Sequence, residues 1–183
     1  MITAALKHYK LQGKTVTLSN DLKASYAEAI AELANDPVIS RNIGGHGFHY
    51  PYTIEDAMNF FTMNREDGRK FFAIDFIIFV DGTPAGIIGL KDIDYVDRKC
   101  HVGYWIGRRF WSRGVASEAL DLVTRFAADE ISMHRLYTGV LDFNAASMKV
   151  LLKNGYFIEG VERDTYFMEG RYFSMIRFAR IID

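Results

Sequence analysis

The sequence has 183 residues, of which 49% are hydrophobic and 14% aromatic, enough to bury the core of a single domain spanning residues 1–183. Its formal net charge is -1, which argues against a general nucleic-acid-binding protein, since such proteins normally carry a basic excess. The one cysteine, Cys100, excludes an internal disulfide and a multi-cysteine zinc site, and we expect no metal cofactor.

Two further features bear on location. The amino-terminal residues lack the long apolar core of a signal peptide, and no stretch approaches the apolar length of a membrane span. A single cysteine also fits a reducing compartment. The sequence therefore predicts a soluble cytoplasmic protein without a membrane partner.

The first third of the chain predicts a short strand, TVTLS, followed by two helices. Ser19 and Asn20 are candidate caps for the first helix. Its apolar residues recur at helical spacing, namely Leu22, Tyr26, Ala29, Ile30 and Leu33. Asp36–Pro37 closes this helix, because proline disfavours helical backbone in the residue before it, and RNIGGHGFHYPY then predicts an exposed loop. Thr53 and Asp56 form a near capping box that opens the second helix.

The remainder of the chain predicts a mixed sheet. FFAIDFIIFV and AGIIGL are β-rich runs joined by a hairpin signal, Asp81–Gly82. CHVGYWI and HRLYTGVL are further strands, and the helix between them, which runs to about Asp129, predicts that they are parallel. NAASMKVLLKNG predicts a capped helix ending at Gly155, and the last 27 or so residues before the terminus predict an antiparallel hairpin. The order β-α-α-β-β-β-α-β-α-β-β predicts an α/β fold with helices on both faces of one sheet.

The stretch WIGRRFWSRGVASEAL predicts an anion site where a strand becomes a helix. The first turn of a helix offers unpaired backbone N–H groups and the positive end of the helix dipole, which together bind phosphate. Gly114 and Ala116 let the backbone approach an anion closely, and Arg113, Arg108 and Arg109 can add charge-assisted hydrogen bonds. The alternative is a loop with surface arginines and a glycine for tight packing. The triphosphate-loop and dinucleotide glycine motifs are both missing, so the anion would belong to another ligand.

Three segments carry a family resemblance in the right order and spacing: GYWIGRRFWSRGVASEAL, HRLY and NAASMKVLLKNGYFIEGV. They resemble the GCN5-related N-acetyltransferase (GNAT) superfamily, nearest to the RimJ/RimL-type protein N-acetyltransferases. The resemblance implies the GNAT acyl-CoA N-acyltransferase fold, a mostly antiparallel sheet whose fourth and fifth strands are parallel and splayed apart. It also implies acetyl-CoA as co-substrate, with transfer to an amine by direct attack in a ternary complex.

The resemblance assigns the acetyl-CoA contacts to four parts of the chain. The pyrophosphate contacts would be Arg108, Arg113, Gly114, Val115, Ala116 and Ser117, mostly through the backbone. The acetyl-pantetheine contacts would be Tyr104, Trp105 and Ile106, with Gly103 as a bulge where the strands splay. Asn144 would lie near the pantetheine and Lys153 near the phosphates. The residues themselves leave simpler roles open, because Asn is a good helix cap, surface lysines are usually solvated, and Tyr104 or Trp105 can be a core aromatic.

Acetyl transfer to an amine requires a neutral nucleophile, a stabilised oxyanion and a proton for the departing thiolate. The family's N-x-x-S motif implies that Ser147 supplies that proton. For the base, alignment on the closing hairpin places Tyr166, while His101, on the strand before the cradle, suits the task better near neutral pH. His46 and His49 are weaker candidates.

The acceptor site should lie across the sheet from the cofactor, lined by Tyr50, Tyr52, Tyr166 and Tyr172. The branch resemblance favours a protein or peptide N-terminal α-amine as acceptor. The alternatives are a small-molecule amine, such as an amino acid, amino sugar or antibiotic, and a non-catalytic acyl-CoA sensor that has lost its base. The closing hairpin could support a homodimer.

Overall fold

The computed structural model describes residues 8–44, 48–66 and 73–182, with the backbone alone for 63–66. Its strands are β1 (Lys10–Gln12), β2 (Val16–Ser19), β3 (Ile74–Val80), β4 (Thr83–Asp94), β5 (Lys99–Ile106), β6 (Arg135–Leu141), β7 (Phe157–Met168) and β8 (Arg171–Ile181). Its α-helices are α1 (Ala27–Ala34), α2 (Pro37–Ile43), α3 (Ile54–Glu66), α4 (Val115–Asp129) and α5 (Ala145–Lys153). Short 3-10 turns cover Ala24–Tyr26 and Arg108–Phe110.

The eight strands form one sheet in the order β1-β2-β3-β4-β5-β6-β8-β7. All neighbouring pairs are antiparallel except β5 and β6, which are parallel as predicted. Their pairing runs only from Lys99↔Arg135 to His101↔Tyr137, and beyond it the two strands separate. The predicted bulge at Gly103 is wrong, because Gly103 pairs in regular register with Gly89 of β4. The splay therefore comes from lost pairing with β6 and not from an extra residue in β5.

Helices cover both faces of the sheet, as the predicted fold class requires. Successive side chains of a strand point to opposite faces, and β3 divides its residues in this way. Phe76 and Ile78 belong to a core packed against α4, whereas Ile77 belongs to a second core formed with α1 and α3. The sheet thus separates two apolar layers, and each face carries its own set of site residues.

The amino-terminal elements differ from the prediction in two ways. Ser19 ends β2 and Asn20 is no helix cap, because its side-chain oxygen accepts the Tyr9 N–H at 2.7 Å and so ties β1 to β2. Helix α1 accordingly begins only at Ala27. Asp36–Pro37 does follow the end of α1, but it also starts α2: the Asp36 carboxylate accepts the Val38 N–H at 2.8 Å, and proline fits a first helical position.

Two local predictions are confirmed. Thr53 and Asp56 make reciprocal bonds at the start of α3: the Thr53 N–H reaches Asp56 at 2.8 Å and the Asp56 N–H reaches the Thr53 hydroxyl at 3.2 Å. Asp81 and Gly82 form a two-residue hairpin turn between β3 and β4, both with positive φ.

Within residues 8–44, 48–66 and 73–182, none of the helices is long and apolar enough to cross a membrane. Nor do three or more His, Cys, Asp or Glu side chains gather there in a way that could hold a metal ion.

Glu118, in the first turn of α4, fixes the β1–β2 turn to that helix. Its carboxylate accepts the N–H groups of Lys14, Thr15 (2.9 Å) and Val16 (3.2 Å), and the Thr15 hydroxyl at 2.6 Å. Burial alone would raise the pKa of this carboxyl, but the bonds from Thr15, Val16 and Lys14 hold it below its ordinary value. The Glu118 carboxylate is therefore directed to the β1–β2 turn and away from the free backbone amides at the start of α4.

Replacing Glu118 with Gln should therefore destabilise the fold, because an amide cannot accept all of these bonds and its NH2 faces donors. We expect a loss of about 1–2 kcal/mol in unfolding free energy, measured by urea denaturation at pH 7. Since the pKa of Glu118 is lowered in the fold, its contribution is present above the unfolded value and fades as the pH falls through the folded one. Glu28→Gln, at an exposed position of α1, is the control. Equal stability of the two variants would contradict this role.

Candidate active site

The turn that leads into α4 is held by Trp111, and it leaves the helix N-terminus open. The Trp111 indole N–H donates to the Ile106 carbonyl at 2.6 Å, which fixes the chain between β5 and α4. Gly114 precedes α4 in left-handed backbone, with φ +78°, and no side chain caps the helix there. A Cβ added at Gly114 would meet open space. The first amides of α4 thus remain available to an anion, and the site fits the pyrophosphate of coenzyme A.

The three arginines of this turn differ in their partners. Arg108 lies 3.5 Å from the Asp36 carboxylate, and Arg109 lies 3.5 Å from that of Glu32. Arg113 is exposed and has no carboxylate partner within the described residues; its guanidinium lies over the Phe110 ring at 5.7 Å. Arg113 is therefore the arginine of this turn whose charge remains available to a phosphate.

The other predicted phosphate contacts surround the same helix end. Val115 is buried in the core, so only its backbone can reach a ligand, while Ala116 is half-buried. The Ser117 hydroxyl accepts a bond from the Asn154 side chain at 3.0 Å, which joins the start of α4 to the end of α5. Lys153, next to Asn154 in the chain, is exposed beside this junction.

Tyr104 and Ser147 meet across the gap between the splayed strands. The Tyr104 hydroxyl on β5 lies 3.0 Å from the Ser147 Oγ in the first turn of α5. Asn144 caps α5, since its side-chain oxygen accepts the Ser147 N–H at 3.2 Å. This contact was missed in the sequence, because nothing in it pairs two side chains 43 positions apart. The site therefore holds two linked hydroxyls where the sequence suggested one.

Burial sets the protonation of the groups near this gap. It raises the pKa of Tyr104 to about 12, although the bond with Ser147 acts in the opposite direction. It also raises the pKa of the buried Cys100 thiol to about 12. Tyr104 is therefore a protonated hydroxyl at neutral pH, able to donate, whereas Cys100 is a poor nucleophile.

His101 and Trp105 point to the opposite face of β5 from Tyr104. The Trp105 ring packs edge-on against Phe48 with centroids 5.8 Å apart, beside α1 and α3. His101 is half-buried and lies against Tyr137. Burial lowers its pKa below the ordinary value, and the charges of Lys91 and Arg177 act in the same direction while that of Asp92 opposes them. The ring is thus an uncharged base at neutral pH, on the side of the strand away from Ser147.

The Tyr166 hydroxyl is already engaged. It donates to the Gly44 carbonyl at the end of α2, which ties the closing hairpin to that helix. A hydroxyl whose proton is shared in this way is poorly suited to act as a base.

The remaining acceptor candidates differ in their exposure. Tyr52 is buried in the core, and burial raises its pKa to about 12, while Tyr50 and Tyr172 are exposed. His49 lies between the Pro51 carbonyl at 2.8 Å and the Asp56 carboxylate at 3.1 Å, so it supports the start of α3. His46 lies outside the described residues.

Comparison with known proteins identifies a family. A family model described as "Acetyltransferase (GNAT) domain" matches residues 20–156. The chain is 28% identical over 102 residues to a putative ribosomal N-acetyltransferase of Bacillus subtilis, a match that covers 56% of each protein. It is 26% identical over 143 residues to the ribosomal-protein-serine acetyltransferase of Escherichia coli, covering 71% of this chain and 80% of that one. Against the spermidine N(1)-acetyltransferase of E. coli it is 26% identical over 102 residues, covering 56% and 55%.

Solved structures share the fold. The apo structure of RimL, a ribosomal L7/L12 α-N-protein acetyltransferase, superposes with a TM-score of 0.81 at 20% identity, covering 100% of this chain and 99% of that one. The microcin C7 self-immunity acetyltransferase MccE, in complex with acetyl-CoA and AMP, gives 0.79 at 22% identity, covering 93% and 94%. The chain therefore shares the overall fold of these solved structures.

Proposed function

The chain belongs to the acetyltransferase (GNAT) family, whose members are acetyl-CoA-dependent N-acetyltransferases, and we propose that it acetylates the N-terminal α-amine of a protein or peptide. One observation carries the proposal. An uncapped helix N-terminus at Gly114 lies beside a gap between parallel strands, and the Tyr104–Ser147 hydroxyl pair borders that gap. A diphosphate site, a slot for an extended chain and a proton donor are thereby adjacent.

Acetyl-CoA would lie along this line. The amides of Gly114 to Ser117 and the Arg113 side chain would hold the pyrophosphate, with Arg108 and Lys153 at its edge. The unpaired edge of β5, at Tyr104, Trp105 and Ile106, would hydrogen-bond the pantetheine and the acetyl carbonyl. Asn144, which orients Ser147, would lie next to the thioester.

The reaction we propose is direct attack of the amine on the thioester. The amine nitrogen forms a bond to the acetyl carbon, and the C–S bond breaks as the coenzyme A thiolate leaves. Ser147 donates its proton to the thiolate and regains one from Tyr104, which takes a proton from water in turn because its raised pKa keeps its hydroxyl protonated. The amine must lose its own proton on the other face of β5, where His101 lies. The high thiol pKa of Cys100 speaks against an acetyl-cysteine intermediate.

An α-amine is the acceptor that this site can most readily use. Its reference pKa is about 8, against about 10.4 for lysine, so far more of it is uncharged at neutral pH. Two of the relatives are named as ribosomal or ribosomal-protein acetyltransferases, which supports a protein α-amine as acceptor. The relative named as a spermidine acetyltransferase makes a small amine the second candidate.

Three further expectations complete the proposal. We expect one catalytic domain over residues 1–183 in the cytoplasm, in keeping with a single, buried cysteine.

We also propose a homodimer formed through β7, an edge strand. Several of its apolar side chains are exposed, namely Phe157, Ile158, Val161 and Phe167. The mass of the protein in solution tests this assembly.

An amine panel tests the function. Thiol release from acetyl-CoA is measured with peptides bearing a free N-terminus, the same peptides N-blocked but containing lysine, spermidine, and an amino sugar. Turnover confined to free N-termini supports the proposal, and turnover confined to spermidine or the sugar moves the acceptor to a small molecule. Tight acetyl-CoA binding with no turnover on any amine would favour the sensor.

Gly114→Ala should weaken acetyl-CoA binding, because the new methyl group occupies space that the phosphate needs. Gly82→Ala is a matched control, since its φ of +76° imposes the same backbone strain in a hairpin turn that also offers open space. We expect both variants to lose about 1–2 kcal/mol of stability, but only Gly114→Ala to raise the calorimetric Kd for acetyl-CoA, about tenfold. If the Kd rose equally in both variants, backbone strain would be its cause, and the proposed phosphate contact at Gly114 would be contradicted.

Ser147→Ala should lower kcat about 10- to 100-fold without changing the Kd for acetyl-CoA, because the thiolate loses its proton donor. If Ser147 and Tyr104 act as one unit, the kcat of the double variant with Tyr104→Phe should be no lower than that of the less active single variant. Ser25→Ala, at an exposed position, is the control. An unchanged kcat in Ser147→Ala would remove the donor role.

A further inference from the structure

Three glycines line up across the strands that splay. Gly89 of β4 pairs with Gly103 of β5, and both lie on the sheet face that carries His101 and Trp105. The parallel pairing of β5 with β6 ends at His101↔Tyr137, so Gly139 follows two residues later beside Gly103, across the opening gap. We call Gly89, Gly103 and Gly139 the glycine row. It crosses the sheet on the face away from Tyr104 and Ser147.

The glycine row runs between an apolar and a polar row of side chains. On one side lies an apolar row, Ile77, Ile87 and Trp105, which packs against α1 and α3. On the other side lies a polar row, Lys91, His101 and Tyr137. Gly103 and Gly139 keep part of their surface exposed although they belong to central strands. Side chains cover the row at Gly139, where an added Cβ would be 2.7 Å from the Arg177 Nη1 and 2.8 Å from the Met175 Sδ. At Gly103 the nearest atom, the His101 Cε1, is 3.5 Å away, so this position beside the gap between β5 and β6 is the place where an acceptor amine can approach the row.

One end of the row is closed by a buried carboxyl group. Asp75 of β3 pairs with Gly89 and lies over it: a Cβ added at Gly89 would be 1.8 Å from the Asp75 Oδ1. Asp75 is only 4% exposed. Its Oδ2 is buried and has no hydrogen-bond partner among the described residues. Burial raises the pKa of Asp75 to about 6, although the charge of Lys91 opposes this.

A buried carboxyl group without a partner is costly, and native proteins seldom keep one that no ligand satisfies. The positive charges on this face do not pair with it. Arg177, at the other end of the row, is held by both oxygens of Glu162 at 2.8 and 2.7 Å, and Lys91 is exposed. The Asp75 carboxyl group lies over Gly89, next to Gly103 in the row, and a cationic group at Gly103 would supply the missing hydrogen-bond partner.

We infer that Asp75 binds the ammonium group of the acceptor at the inner end of the glycine row and receives its proton. This inference rests on the proposed acetylation of an amine. The carboxylate and the ammonium exchange one proton, which leaves a carboxylic acid and a neutral amine, and no other reactant is needed. A buried environment favours that neutral pair over two charges. The amine is thereby released as a nucleophile over Gly103, beside the splay, and His101 passes the proton on to water.

The kinetic test compares Asp75→Asn with Asp129→Asn, the same change at an exposed carboxyl on α4. With the best amine of the panel, we expect Asp75→Asn to lower kcat/KM at least 100-fold at pH 7 and to leave the Kd for acetyl-CoA within twofold. Only amine that is already neutral in solution should react with it, so its kcat/KM should rise about tenfold per pH unit up to the amine pKa. The wild-type profile should flatten above about pH 6, the value for Asp75. A kcat/KM within threefold of wild type overturns the inference.

A second test needs no substrate and shows that Asp75→Asn is folded. The folded pKa of Asp75 lies above its unfolded value, so its ionisation opposes folding as the pH rises between the two. The melting temperature of Asp75→Asn should therefore exceed that of the wild type at pH 8 and equal it at pH 4. The melting temperature of Asp129→Asn should equal that of the wild type at both pH values. Identical melting at both pH values contradicts a buried, unpaired carboxyl group.

A third test separates this inference from the proposed function. The 13C carboxyl resonance of Asp75, assigned by its loss in Asp75→Asn, is titrated with and without ethylammonium in the presence of coenzyme A. Lys91, whose charge acts on Asp75, and the other titratable groups of this sheet face, His101, Tyr137 and Arg177, are the same in both titrations. We expect ethylammonium to shift the midpoint. If no amine of the panel is acetylated, the proposed function fails, but the titration still tests whether Asp75 binds an ammonium group. A titration midpoint that ethylammonium does not move overturns the inference.

Discussion

The site depends on one break in the sheet, the end of pairing between β5 and β6 after His101 and Tyr137. Backbone N–H and C=O groups inside a sheet are normally paired on both sides, so a central strand that loses a neighbour exposes a row of donors and acceptors. Here that row begins at Gly103 and ends where the chain turns into α4. An extended ligand can pair with it much as a strand would. The break thus creates a binding slot without any specialised side chain.

The surrounding elements keep that slot open. Trp111 fixes the turn after β5 through the Ile106 carbonyl, and the Asn154–Ser117 contact joins the start of α4 to the end of α5. Glu118 is directed to the β1–β2 turn, so its negative charge does not compete with an anion for the first amides of α4. The last two contacts join elements far apart in sequence. The anion site is therefore a product of tertiary structure as much as of the glycine at position 114.

The sequence predicted the parts of the fold that local rules decide. The hairpin at Asp81–Gly82, the capping box at Thr53 and the cap at Asn144 are all local. The amino-terminal helix start was wrong because Asn20 bonds to Tyr9, a strand contact that caps nothing. The Tyr104–Ser147 contact depends on how β5 and α5 pack, which no spacing in the chain encodes. Asp75 did leave a signal, a lone acidic residue within the apolar run AIDFIIF, but its partner across the sheet, Gly89, became evident only from the register.

Burial acts on the two faces of β5 in the same direction but with opposite consequences. It raises the pKa of Tyr104 to about 12 and that of Asp75 to about 6. For a phenol this keeps the proton in place at neutral pH, so Tyr104 can only donate. For a carboxyl group the same effect brings the pKa close to neutral pH, so Asp75 can accept a proton. A reaction that removes a proton from an amine and returns one to a thiolate needs both properties in one pocket, on opposite sides of the scissile bond. A strand supplies this separation directly, because its successive side chains alternate between faces: the glycine row and its carboxyl lie on one side, and the linked hydroxyls on the other.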